Sequence, residues 1–210
     1  MSERVAQFLV FFPVFLFSLS FHEASHAWTA NKLGDPTARI LGRLTLNPLA
    51  HIDWIGTVLF PLMMFLMPGL LLFGWAKPVP VNPNNLKGGR RGNLRVAAAG
   101  PISNVFLAFV FAGLLHGLVF VPVPLETLSI IAQILETGVY LNLMLAFFNL
   151  IPIPPLDGSQ ILGGLLPYKY LDAFDRVSRY GFWILLAALY LGVLRYMTIP
   201  VMLFARLLLP

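Results

Sequence analysis

Long apolar stretches alternate along the chain with short polar ones. Residues 5–30 are apolar until a polar insert near their end. Residues 31–53 are polar, with a turn at Gly34-Asp35-Pro36 and a weak strand-like alternation over 38–46. Residues 55–75 are apolar again but are interrupted by Pro61, Pro68, Gly69 and Gly74. A Pro- and Asn-rich loop follows over 77–95, with five basic residues and no acid. Two more apolar runs, 96–121 and 128–150, flank a short turn. Pro152, Pro154 and Pro155 break the second run, and a short helix continues it from 157 to 166. Residues 167–179 are polar. A last helix begins at 180, and Arg195 and Pro200 interrupt the stretch to 210. The runs are continuous, so they predict helices. A transmembrane β-barrel needs alternating strands.

Composition decides where such helices sit. Hydrophobic residues make up 58% of the 210 and charged residues 11%, with a mean hydropathy of +0.81. Soluble domains carry about 25% charge, so a disordered chain and an ordinary soluble enzyme are both excluded. The expectation is an all-α polytopic membrane protein, a single domain over 1–210 in a lipid bilayer. Its parts are a first transmembrane helix (5–30), a re-entrant segment (55–81), a second transmembrane helix (96–121), a broken one (128–166) and a C-terminal membrane segment (180–210). Arg4 and the apolar run after it resemble a signal peptide. A polar motif follows in place of a small-residue cleavage site, so the helix is expected to be retained. Cysteine is absent, which leaves His and carboxylates to hold any metal. The net charge of +5 reads as membrane topology, with no nucleic-acid partner.

That motif carries the chemistry. His22-Glu23-x-x-His26 lies on a predicted helix, where residues four apart share a face. The spacing suits two ligands of one tetrahedral Zn²⁺. Glu23 beside them can act as general base on a water at the metal and return the proton to a leaving amine. With four His in 210 residues, chance produces this pattern on the order of once in a thousand such chains. Ionisable groups inside a membrane span are costly and default to function. For the third ligand the candidates are His51, His116 and the carboxylates. Asp157 has the most suggestive setting: it follows Asn149-Leu150-Ile151-Pro152-Ile153-Pro154-Pro155-Leu156, where prolines unwind a helix at membrane depth. It also opens a new helix, where an aspartate caps well.

His22-Glu23-x-x-His26 in a first apolar helix, the Asn149–Gly158 motif and Gly100-Pro101-Ile102-Ser103-Asn104 together resemble the site-2 protease family, intramembrane zinc metalloproteases of the peptidase M50 type. The loop Gly74-Trp75-Ala76-Lys77-Pro78-Val79-Pro80-Val81-Asn82 is similar to that of a compact prokaryotic-type branch without PDZ or CBS domains. The resemblance implies one catalytic Zn²⁺ held by His22, His26 and Asp157, with Glu23 as base. It implies Asn149 as a substrate-orienting or oxyanion-stabilising group, and Asn104 in a similar role or joining the helices. It also implies hydrolysis of peptide bonds in transmembrane or signal-peptide-like helices. The alternatives are a non-hydrolytic membrane metal-binding or transport protein and a protease-like binder of helices. Glu23 argues against both, because binding alone needs no base there.

The need for the ligands to meet favours re-entry of 55–81 over a span, which would leave them near opposite faces with nine of fourteen basic residues on one side. His22 and Asp157 each lie about 13 Å from a helix end, so those ends must face the same side. Residues 55–67 make a helix too short to cross a core of about 30 Å. Pro68-Gly69 is expected to turn the chain back and 70–81 to return it extended. Lys32, Arg39, Arg43, the five basic residues of 77–95, Lys169, Arg176 and Arg179 then share a side, eleven of fourteen in all. That asymmetry points to the cytoplasmic face of a prokaryotic cell membrane. Pro78, Val79 and Pro80 are candidates for a small β-like edge that holds an unwound substrate. His51 and Asp53 read as a surface loop pair, His116 as facing a helix or the outer interface. Trp28, Trp54, Trp75 and Trp183 read as interfacial anchors.

Overall fold

A computed structural model describes residues 3–67 and 74–210. Helix α1 (Glu3–Lys32) is followed by a one-turn helix α2 (Thr37–Ile40) and by a π-helical turn, Trp54–Leu59, that continues as α3 (Phe60–Leu66). Then come α4 (Arg90–Gly117), α5 (Leu125–Asn149), α6 (Asp157–Leu165), α7 (Leu171–Ser178), α8 (Gly181–Tyr190) and α9 (Thr198–Leu208). Among the described residues there is no strand, and the protein is an all-α membrane protein.

Among the described residues three helices, α1, α4 and α5, are long and apolar enough to cross a membrane. At about 1.5 Å per residue each exceeds the bilayer's hydrocarbon core of about 30 Å. They pack through small residues: Ala108 and Ala112 of α4, with Ala205 of α9, are buried against Val139, Leu143 and Val201. Small side chains let backbones approach where lipid gives no hydrophobic drive between helices. Across α1 and α4 two stripes at helical spacing face each other, Ser18, His22 and His26 against Val96, Gly100 and Asn104. His22 pairs with Asn104 and His26 with Val96, so the two helices run antiparallel.

The segment from Trp54 to Leu66 spans only about 20 Å. Asp53 caps it by accepting from the amides of Ile55 and Gly56. The chain comes back to where it started: Trp75 N–H donates to the Gly56 carbonyl (3.3 Å), and Lys77 N–H to that of His51 (3.0 Å). The indole of Trp75 lies against Gly56, where a side chain would collide with it. The expected turn at Pro68-Gly69 and the first residues of the return lie outside the described residues. Residues 74–82 carry no helix, turn or bend, and no described strand forms a ladder with them; their hydrogen bonds go to the Trp54–Leu59 turn, to His51 and to side chains.

One further expectation changes. Residues 38–46 are not strand-like. Asp35 accepts the Thr37 amide and starts a helical turn instead, and Gly42 (φ +68°) reverses the chain before Arg43. The C-terminal segment, interrupted in sequence at Arg195 and Pro200, bends: Gly192 (φ +70°) sits at the break, and the helices on either side are bent by 83°.

The basic segments gather at one end. Lys87 N–H donates to the Leu33 carbonyl (2.7 Å), Arg43 to that of Lys77 (2.6 Å), and Arg90 to those of Gly163 and Leu166 (2.5 and 2.6 Å) while stacking on Tyr168. Asp35 is the clamp of this end. Its carboxylate is fully buried and accepts from Thr37, from the Asn82 amide and from the Asn85 side chain. Burial pushes its pKa up, but these donors outweigh burial and hold it below the ordinary carboxylate value. Because the folded pKa is depressed, the stabilisation is present above about pH 4 and is lost as pH falls through the folded value. Asp35→Asn is therefore expected to lower stability by about 2 kcal/mol at pH 7. The gap from wild type should narrow in unfolding curves recorded below about pH 4.

Candidate metal centre

His22 and His26 lie one turn apart on α1, both buried. Their Nε2 atoms are 3.0 Å apart, and Asp157 Oδ2 is 3.1 Å from the first and 3.3 Å from the second. Ligands about 2.0–2.1 Å from a tetrahedral Zn²⁺ stand roughly 3.3–3.4 Å from one another, so the three atoms are spaced as three corners of such a shell.

The hydrogen bonds behind them orient the rings. His22 Nδ1 faces Asn104 Oδ1 (2.5 Å) and His26 Nδ1 faces the Val96 carbonyl (2.7 Å). Both partners only accept, so each takes an Nδ1 proton, which leaves Nε2 as the ligand atom of each ring. Asp157 Oδ2 is buried with no hydrogen-bond donor of its own. Three ligand atoms thus converge, and a cation fits them.

Local structure places each group. After α5 the prolines unwind the chain, and Gly158 packs against the Leu150 and Ile151 carbonyls. Leu156, not Asp157, is the cap residue of α6, and the Asp157 carboxylate is turned to the histidines instead of capping. Gly100 on α4 clears the space: a Cβ there would lie 2.5 Å from Nε2 of both imidazoles. Glu23 is buried beside the histidines, and its Oε2 accepts the Val79 amide (2.9 Å).

Peptidase family M50 matches the chain over residues 125–189. YwhC of Bacillus subtilis (strain 168), named as a zinc metalloprotease, is 40% identical over 173 residues, which is 80% of this chain and 74% of that protein. The chain belongs to peptidase family M50. Rip2 of Mycolicibacterium smegmatis, also named as a zinc metalloprotease, is 30% identical over 88% of this chain and 68% of its own length. Zinc metalloprotease MJ0392 of Methanocaldococcus jannaschii is 29% identical over 77% of this chain and 35% of its own length. No solved structure matches the chain.

In this M50 protein not every residue singled out from sequence reaches the centre. Asn104, expected on the substrate or between helices, is fully buried and belongs to the protein's own network. It accepts from His22 and donates to Asn142 Oδ1 (2.8 Å), and Asn142 Nδ2 in turn donates to Ser18 Oγ (2.8 Å). Asn149 ends α5 and donates back to the Leu145 carbonyl (3.0 Å). Pro78, Val79 and Pro80 lie against Glu23 through the Val79 amide. His116 is exposed on α4 and bonds its own helix. His51 is not a surface residue: it is 1% exposed, with Nε2 on the Thr45 carbonyl (2.9 Å) and Nδ1 without a partner. Gly100, Asn142 and Ser18 were not singled out for the site at all. The four-residue spacing of Gly100 and Asn104 was the available signal, since it puts both on the helix face that meets α1.

Proposed function

We propose that this zinc metalloprotease is an intramembrane endopeptidase in which His22, His26 and Asp157 hold one Zn²⁺ and Glu23 is the general base. The convergence of three ligand atoms beside Glu23, two of them on a helix long enough to cross a membrane, supports the reading most strongly. When bound, Zn²⁺ supplies Lewis acidity, which lowers the pKa of a water and polarises a carbonyl. The rest falls to the chain. His22 and His26 keep their Nδ1 protons on Asn104 and Val96, so neither ring turns away from its ligand position. Glu23 Oε2 is engaged by Val79, which leaves Oε1 to take a proton from the attacking water and pass it to the leaving amine. Asn149 gives one amide hydrogen to the Leu145 carbonyl and keeps the second to steady a substrate oxygen.

Position argues for the substrate class. His26 and His22 precede Lys32 by six and ten residues, about 9 and 15 Å along an apolar helix. A peptide bond cut there belongs to a transmembrane or signal-peptide-like segment. The chain is then multi-pass, with the basic end at the cytoplasmic face of a prokaryotic membrane. Incubation of the reconstituted protein with single-span peptides, followed by mass spectrometry, tests this. Cleavage is expected within the apolar stretch, about 9–15 Å from its basic-flanked end. Cuts confined to polar flanks would contradict the substrate class.

A further inference from the structure

The segment 77–82 is held at several of its backbone groups. Lys77 N–H donates to the His51 carbonyl (3.0 Å), and the Arg43 Nη2 donates to the carbonyls of Lys77 (2.6 Å) and Pro78 (3.4 Å). Further along, Asn82 N–H donates to Asp35 Oδ2 (2.7 Å). Between those anchors lies Pro78-Val79-Pro80. Proline has no N–H and a fixed φ, so the tripeptide is stiff and presents a single donor, the Val79 amide. That donor is given to Glu23 Oε2 at 2.9 Å.

Arg43 reaches the strap from a turn built for it. Gly42, in the left-handed region, reverses the chain, and the Arg43 N–H closes the turn on the Ala38 carbonyl (2.8 Å). His51 ties the other side of the same loop to Thr45 through Nε2. Neither residue touches the metal ligands, yet both end on the backbone beside Glu23.

We infer that Arg43 is a positioning residue for catalysis, acting through the Lys77–Pro78 carbonyls to hold the Val79 N–H on Glu23. The inference rests on Glu23 being the general base. A carboxylate gripped at Oε2 by a rigid donor has one orientation, with Oε1 free for the proton. Without the grip it samples several, and only some face the water. Pro78, Val79 and Pro80 then hold the base instead of the substrate. The loss on releasing such a support is about 10- to 100-fold, and it falls on turnover, because substrate binding does not use Glu23.

The test uses the full chain in liposomes with a single-span peptide substrate. Arg43→Ala is expected to lower kcat about 10- to 100-fold, with KM within about twofold of wild type and one zinc per chain retained. Arg43→Lys, which keeps one donor for the carbonyls, recovers part of the rate, and added guanidinium ion recovers part of the Arg43→Ala rate. Val79→Pro, which removes the one N–H, is expected to lose kcat similarly. The Arg43→Ala/Val79→Pro double variant should be little worse than either single one, because both act on the same contact. Wild-type kcat in Arg43→Ala, a loss confined to KM, or losses that multiply in the double variant would overturn the inference. Where Arg43→Ala does not fold, Arg43→Lys and Val79→Pro decide by the same readings. Glu23→Gln separates the premise. If it is inactive while Arg43→Ala cleaves normally, only the role of Arg43 falls; if it cleaves like wild type, the base assignment falls.

Discussion

Replacing Asp157 by alanine is expected to weaken zinc binding about a thousandfold or more and to end proteolysis with it. The carboxylate is one of three converging ligand atoms, at 3.1 and 3.3 Å from the two imidazole nitrogens. Removing it leaves two neutral rings, and charged ligands carry much of a metal's binding free energy. Asp157→Asn keeps the shape and one neutral oxygen, so it should bind zinc between the two extremes. Zinc titration against a chelator of known affinity reads both variants. Full zinc affinity in Asp157→Ala would show that the third ligand lies elsewhere. Helix capping is not the reason for the residue, because α6 takes Leu156 as its cap position and Asp157 makes no capping hydrogen bond.

Gly100→Ala is expected to have a comparable effect through a single methyl group. The added Cβ would stand 2.5 Å from Nε2 of His22 and of His26, the atoms that face the metal. Neither ring can retreat without giving up Asn104 or the Val96 carbonyl. Either the imidazoles rotate off the site or α1 and α4 move apart. Gly113→Ala on the same helix is the control, since nothing lies within 4 Å of its Cβ. There, alanine should be neutral or stabilise by up to about 1 kcal/mol through helix propensity. Zinc content and thermal unfolding of the two variants separate them. Normal zinc in Gly100→Ala would mean that α4 does not crowd the site.

The two histidines and the three long helices are legible from local pattern. The four-residue spacing and the length of each apolar run are properties of a single helix. Asp157 is legible because prolines announce where the chain unwinds at membrane depth. What the pattern does not carry is tertiary. Asn104 belongs behind His22 only because α1 and α4 pack antiparallel in one register. His51 is buried because residues 74–77 return over it, and a polar loop residue gives no sign of that. Alternation over 38–46 had no ladder partner to make it a strand, so the local hydrogen bonds of Asp35 and the turn at Gly42 prevailed. The bend in the C-terminal segment depends on one left-handed glycine, Gly192, which hydropathy does not register.

Paired cleavage assays of wild type and Glu23→Gln, each with its zinc content measured, test the central claim most directly. The account expects one zinc per chain in both, wild-type cleavage inside the apolar stretch of a single-span peptide, and a rate lower by about a hundredfold or more in Glu23→Gln. Equal cleavage by the two zinc-loaded proteins would contradict it.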